Sequence, residues 1–504
     1  MKRIIGLLIF CLLPIVSHAQ LDFDALKRRS EARLQERKNI WDEFLDARKE
    51  AWGRVIANRD LEWTDFLSGS EWTLYTDFLK NEIPERPKPV VVPKVDVDIP
   101  VQPLPEPVAI DEVTAIKSVS EVGELPVNID SLPCKPIEVE LIDDINSVRF
   151  DFFGRRCSIP IDQRIKTFRK NKYGQKEIAE FWKTVSEYNY TSTVKALLEK
   201  KEEMGLNDWG YYILVSRFSG EMYSDRNCAL LLTWFMMTRS GLDVRTGYNN
   251  DGVVLLLPTG TTLYGLNYLN IDERKYYIVA NESNTGIYTY RGNYADGRQL
   301  EFGQRRPLRF GEDSIRSLSF TFQDKEYSFE FNFDSGLIDY YKSLPLAQYE
   351  IFFEASPSPQ LRKSIEANLR PIVEEMDKPT ALNFLLQFVQ LAFAYETDQE
   401  QFGTEKYFYA DELFYYPYCD CEDRAVLFSY LVHELMGYDV IGTEYPGHMA
   451  TAVALDYEVN GVRYDVEGRI FTIADPTYLR STVGQCMSQF GTTIPTVHKI
   501  DFAE

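Results

Sequence analysis

Eight prolines fall between residues 83 and 109: Pro84, Pro87, Pro89, Pro93, Pro100, Pro103, Pro105 and Pro107, set among Val and Lys. Each fixes φ and removes a backbone donor, so this stretch cannot hold a helix or a central strand and is expected to run as polyproline II. Residues 83–116 therefore read as a stiff linker that cuts the chain into an N-terminal arm and a globular body.

The arm begins with an address. Met1-Lys2-Arg3 is basic, Ile4 to Val16 is apolar, and Ser17-His18-Ala19 resembles a small-x-small cleavage site. Residues 1–19 are the pattern of a secretory signal peptide, too short in its apolar run for a membrane span. The expectation is export to the periplasm, the cell surface or the medium, with no membrane span in the mature chain. Residues 20–82 read as an amphipathic helical arm. Phe23, Leu26, Leu34, Trp41, Phe44, Leu45, Trp52, Trp63, Phe66, Trp72 and Phe78 recur at helical intervals among charges, without a strict heptad.

Composition bounds the partners. Over 504 residues, 55 Lys and Arg stand against 77 Asp and Glu, a net charge of −22. So acidic a chain is unsuited to nucleic acid or to anionic lipid. Hydrophobic residues make up 44% and aromatics 14%, enough for real cores. Six cysteines lie beyond the signal (134, 157, 228, 419, 421 and 486), too sparse for a disulfide scaffold. The body, 117–504, mixes both structure types and reads as α+β. Strand is expected at 136–150, helix at 176–203 and 208–240, and strands across 252–333. Helices follow at 359–376 and 379–396, then a helix and strands from 421 to 476.

The chemistry concentrates near the C-terminus. In Tyr418-Cys419-Asp420-Cys421-Glu422-Asp423-Arg424-Ala425, Asp420 suits a helix N-cap ahead of the apolar run Val426–Val432. Cys421 then stands at the first helical position, where free N–H groups favour a thiolate while the neighbouring acids oppose it. Gly437 suits the C-cap. His448 opens an apolar, β-prone run after Pro446-Gly447, and Asp475 ends another, Arg469–Ala474. A carboxylate ending a strand beside the His strand would orient the imidazole, the third role in a Cys–His–Asp arrangement.

Cys421-Glu422-Asp423-Arg424-Ala425, Gly447-His448 before an apolar strand, and Ala474-Asp475-Pro476-Thr477 together resemble the core of the transglutaminase-like superfamily, over about 380–480. Ala392–Asp398 with Gln401-Phe402-Gly403 resembles its exported bacterial members. Many members carry an aromatic residue after the His, where this chain has Met449. The resemblance implies a papain-like α+β core in 346–504, with Cys421 as nucleophile, His448 as general base and Asp475 as orienting acid. It implies acyl transfer through a thioester on protein or peptide substrates, cell-wall peptides among them. Water as acceptor gives a protease or amidase, and an amine gives a crosslinker. The Cys421 N–H is a natural oxyanion donor, with Gln401 as a side-chain partner. No cofactor is called for, and the spacing of Cys419-x-Cys421 to His433 or His448 fits no common zinc pattern, so no metal is expected.

Residues 117–345 carry a weaker likeness to the same core. Gly241 and Gly437 end two helices in Gly-x-Asp-Val, 196 positions apart. At that offset Asp225 stands for Cys421, Gly252 for His448 and Cys228 for Arg424. Residues 146–285 therefore read as a degenerate, catalytically empty copy, the alternative being an unrelated helix with the same ending. For the whole chain, the reading from a different class is a secreted binding or assembly module that uses the fold without turnover.

Overall fold

The computed structural model describes residues 56–79, 83–84, 108–109, 146–279, 285–294 and 297–502. The segment 1–19 expected to be a signal peptide, the expected arm up to residue 55, nearly all of the 83–116 stretch expected to be a linker and the first part of the strand expected at 136–150 lie outside them. The chain divides into two compact units. The described part of the first is 56–66, a helical stretch in which Trp63 stacks on Phe66 with ring centroids 4.7 Å apart. All other described residues belong to the second.

The helix expected to run to residue 82 stops at 69, where Ser68-Gly69-Ser70 succeeds the last apolar position. Thr73–Tyr75 is instead a strand, paired antiparallel with Ile287–Thr289. Gly69 and the flanking serines disfavour helix, and pairing to the sheet holds residues 73–75 extended.

The second unit is mixed α+β. A hairpin, Ser147–Phe152 with Arg155–Pro160, precedes four helices: Gln175–Ser186, Thr191–Met204, Asp208–Met222 and Arg226–Arg239. Strands Arg245–Asn249, Gly252–Pro258, Tyr268–Ile271 and Arg274–Val279 come after them and join Ile287–Thr289 in one sheet. A long hairpin, Asp313–Phe322 with Lys325–Asp334, comes next, then helices Pro359–Glu375 and Lys378–Ala392. The last helix, Cys421–Met436, leads into strands Val440–Tyr445, His448–Val453, Arg463–Val466, Arg469–Ala474 and Thr496–Lys499.

The two sheets share one pairing plan. In the second, Thr496–Lys499 pairs with Val440–Tyr445, which pairs with His448–Val453, then Arg469–Ala474, then Arg463–Val466. In the first, Ile287–Thr289 pairs with Arg245–Asn249, then Gly252–Pro258, then Arg274–Val279, then Tyr268–Ile271. Registers agree as well: Arg245 faces Leu256 and Asn249 faces Gly252, as Ile441 faces Ala452 and Tyr445 faces His448.

Packing does not break at 345/346. The long hairpin alternates exposed and buried positions along both strands, the period of a half-buried sheet. Its inward Phe320, Phe322, Phe329 and Phe331 join Leu361, Phe384, Phe388 and Leu427 in one apolar core. The Cys421–Met436 helix is buried at every residue from Cys421 to Val432, which makes it a core helix rather than a surface one. No described helix is long and apolar enough to cross a membrane.

Candidate active site

Cys421 is the first residue of its helix because the chain arrives extended. Tyr418–Cys419 pairs in parallel with Ala394–Tyr395, and Asp420 remains in the extended region as N-cap. The Asp423 carboxylate accepts the Asp420 N–H at 3.2 Å and the Phe408 N–H at 2.8 Å, tying the first turn to the preceding loop. Gly437 closes the far end with φ 69°, a left-handed cap that a Cβ would strain. The Cys421 side chain is fully buried. Its Sγ accepts the Met449 N–H at 3.3 Å and lies 3.1 Å from Glu422 Oε2. Burial pushes the thiol well above its usual range, the Glu422 and Asp420 carboxyls push it further, and the Met449 N–H opposes them.

His448 comes after the Pro446-Gly447 turn and faces Tyr445 across the hairpin. Its Nε2–H donates to Asp475 Oδ2 at 2.8 Å, with both side chains buried. Nδ1 is buried without a hydrogen-bond partner. Phe490 stacks on the imidazole, centroids 5.3 Å apart and planes 8° from parallel. Asp475 directly succeeds Arg469–Ala474, which is bonded to the His strand with Ala474 opposite Thr451. Its second oxygen, Oδ1, accepts the Thr477 and Tyr478 N–H groups at 2.9 and 3.1 Å. The sulfur thus meets the amide of the residue after His448, and the imidazole meets the carboxylate, while no hydrogen bond joins the Cys421 sulfur to the His448 ring.

Gln390 is a supporting residue that the sequence did not single out. Its Nε2 donates to the Asp475 carbonyl at 3.0 Å, and its Oε1 accepts the Arg480 N–H at 2.9 Å. It lies in the last turn of the helix Lys378–Ala392, outside any motif quoted above. Arg424, from the motif that begins at Cys421, is buried, donates from Nη2 to the Phe393 carbonyl at 2.6 Å and lies over the Tyr395 ring.

Gln401, expected to face an oxyanion, donates its amide to the Tyr418 carbonyl at 3.2 Å instead. Cys419 is buried with Sγ 3.7 Å from the Ala394 carbonyl, and burial pushes its thiol up to about 12. His433 stacks on Phe502, and His498 lies between two glutamates, so neither joins the site. All five described cysteines are free.

A cluster of buried carboxyls adjoins the sulfur. Carboxyl oxygens of Asp398, Glu405 and Glu422 lie within 4.8 Å of one another, as do those of Asp398, Asp420 and Asp423. Burial pushes Asp398 up to about 7, and burial with the Asp398 charge pushes Glu405 up to about 7. Glu422 and Asp423 stand out in the sequence as acids next to Cys421, but nothing local marks that first turn as buried.

The matching positions of the first sheet hold no such set. Asp225 is spent as an N-cap, accepting the Cys228 N–H at 3.0 Å. Gly252 stands where His448 stands, and a Cβ there would lie 2.3 Å from Asn227 Oδ1, which accepts the Val253 N–H.

No family model, no curated protein and no solved structure matches this chain.

Proposed function

We propose that the chain is an exported cysteine-dependent acyl-transfer enzyme of the transglutaminase-like type, with a papain-like core. Cys421 is the nucleophile, His448 the general base and Asp475 the orienting acid. The observation that carries this reading is the hydrogen bond from His448 Nε2 to Asp475 Oδ2 at 2.8 Å, beside an Nδ1 that has no partner. Holding the proton on Nε2 leaves the Nδ1 lone pair free to take the thiol proton. The sulfur then attacks an amide carbonyl, the C–N bond breaks, and the imidazolium returns its proton to the leaving amine. Water or a second amine cleaves the thioester, with His448 again taking the proton. Donors for the oxyanion are the Cys421 N–H at the helix start and the Met449 N–H once the sulfur is acylated, in place of Gln401.

Labelling by a thiol-directed acyl probe tests the assignment. Cys421→Ala should abolish labelling while Cys419→Ala retains it, and the reverse pattern would move the nucleophile to Cys419. Amine incorporation against hydrolysis on a peptide panel then separates a crosslinker from an amidase.

The complete burial of Cys421 among acids supports a second reading, a binding or assembly module without turnover. It predicts a Cys421 thiol that resists alkylation in the folded protein and reacts only on denaturation.

A further inference from the structure

Cys421, His448 and Asp475 leave 0%, 1% and 1% of their surfaces exposed, so a substrate carbonyl cannot touch them until something moves. One face of the His448 ring is covered by Phe490, at 5.3 Å between centroids and 8° from parallel. Phe490 also stacks on Tyr445 at 4.8 Å. It belongs to the stretch 487–494, between the strands Arg469–Ala474 and Thr496–Lys499. Both ends of that stretch are fixed. Before it, Gly484 donates its N–H to the Ile473 carbonyl at 2.7 Å and accepts the Val462 N–H at 2.9 Å. A Cβ on Gly461 would lie 2.0 Å from the Gly484 carbonyl oxygen, so the two segments cross where neither has a side chain. After it, Thr496 pairs with Glu444. Between these points the attachment is slight. The N–H groups of Phe490, Gly491 and Thr493 donate to the carbonyls of Met487, Ser488 and Phe490 at 2.9, 3.4 and 2.9 Å, all within the stretch. Among the described residues, no hydrogen bond joins 487–494 to the rest of the body. Only Met487 and Phe490 in it are buried, while Ser488, Gln489, Gly491, Thr492 and Ile494 are exposed.

We propose that residues 487–494 form a lid that lifts as one piece and draws Phe490 off the His448 imidazole. A segment held by two apolar side chains, with no hydrogen bond outside itself, belongs to the low-stability end of a fold, where opening costs far less than unfolding. Its internal hydrogen bonds survive the movement, because donors and acceptors travel together. What the opening gives up is the packing of Met487 and Phe490 against Tyr445 and its neighbours. Gly484 and Thr496 remain in place as the two ends of the hinge. Lifting the lid uncovers a ring whose Nδ1 has no hydrogen-bond partner, the atom assigned to take the thiol proton. Entry of an acyl donor by this route rests on the reading of Cys421 as nucleophile, whereas the opening itself does not, so either can fail alone.

The test is modification of the full chain by diethyl pyrocarbonate, which acylates an unprotonated imidazole nitrogen, with each histidine followed by peptide mass spectrometry. Phe490→Ala should accelerate modification of His448 about tenfold or more, and Phe490→Leu by less. His498, tied to Glu350 and Glu444 on the far side of the lid's second anchor, should keep its wild-type rate and so reports that the body is still folded. An unchanged His448 rate in a variant whose His498 is also unchanged overturns the proposal. Deuterium exchange of the wild type is the second measurement and decides the matter even if Phe490→Ala fails to fold. The amides of Phe490, Gly491 and Thr493 should exchange well before those of the strand His448–Val453, and equal protection of the two sets overturns the lid. Faster His448 modification in Phe490→Ala, together with acyl-probe labelling that persists in Cys421→Ala, would uphold the lid and remove the nucleophile assignment.

Discussion

Asp475 has two oxygens with separate duties. Oδ2 accepts from His448, and Oδ1 accepts from the Thr477 and Tyr478 amides. An asparagine has one carbonyl oxygen and cannot fill both. If its oxygen keeps the amides, its NH2 faces Nε2 and forces the proton onto Nδ1, the nitrogen that accepts from sulfur in the proposed mechanism. If its oxygen keeps the imidazole, the NH2 meets two backbone donors. Asp475→Asn should therefore lower the rate of acyl transfer by about 10²–10⁴-fold, the range seen when a triad histidine is left in the wrong tautomer. Probe binding measured on the unreactive Cys421→Ala background should change little. A doubly substituted protein that loses binding as well would show that Asp475 supports the fold rather than the proton. The places of Cys421, His448 and Asp475 were legible because each stands at a boundary that sequence marks: a helix start, a post-turn strand and a strand end. Gln390 was not legible, because a glutamine in the last turn of a helix acquires meaning only from the carbonyl it meets 85 residues later.

At the scale of elements, the final strand shows what periodicity cannot supply. Thr496–Lys499 is four residues long, and its place beside Val440–Tyr445 is fixed by pairing more than 50 residues away. His498 secures it: Nδ1 bonds to Glu350 at 2.8 Å and Nε2 to Glu444 at 2.9 Å, with Tyr349 against the ring. Burial alone would lower the imidazole, but the hydrogen bonds and charges of the two glutamates win and raise it from 6.5 to about 9. A raised folded-state value means that stabilisation is fully present below pH 6.5, fades as pH rises, and is gone above about 9. Its size is on the order of 3 kcal/mol. Comparing the wild type with His498→Gln by thermal melting, the Tm gap should be widest near pH 6 and close as pH passes about 9. A gap that stays constant from pH 6 to 9 would mean that His498 acts by packing and not by charge.

Over the whole molecule, two sheets with one pairing plan lie either side of a hairpin that the sequence places with the first and the packing gives to the second. The likeness was visible at the Gly-x-Asp-Val helix ends, which are local, and the edge at 345/346 followed from the resemblance, which rests on short motifs and is local too. Core membership is not local. Phe320, Phe322, Phe329 and Phe331 meet Phe384 and Phe388 through ring contacts such as Phe320 to Phe384 at 5.3 Å and Phe331 to Phe388 at 5.8 Å. Burying a phenylalanine contributes about 1.5–3 kcal/mol, so four contribute about 6–12 kcal/mol. That rivals the whole net stability of a typical domain, about 5–15 kcal/mol. Residues 346–504 contain all of Cys421, His448 and Asp475 but none of this hairpin. Expressed alone, that fragment should show no cooperative melting transition and should bind a hydrophobic dye, whereas a fragment that begins before the hairpin, at residue 300, should regain a cooperative transition. Should 346–504 melt cooperatively without the dye signal, the hairpin is an ornament, and the core that carries Cys421, His448 and Asp475 closes without it.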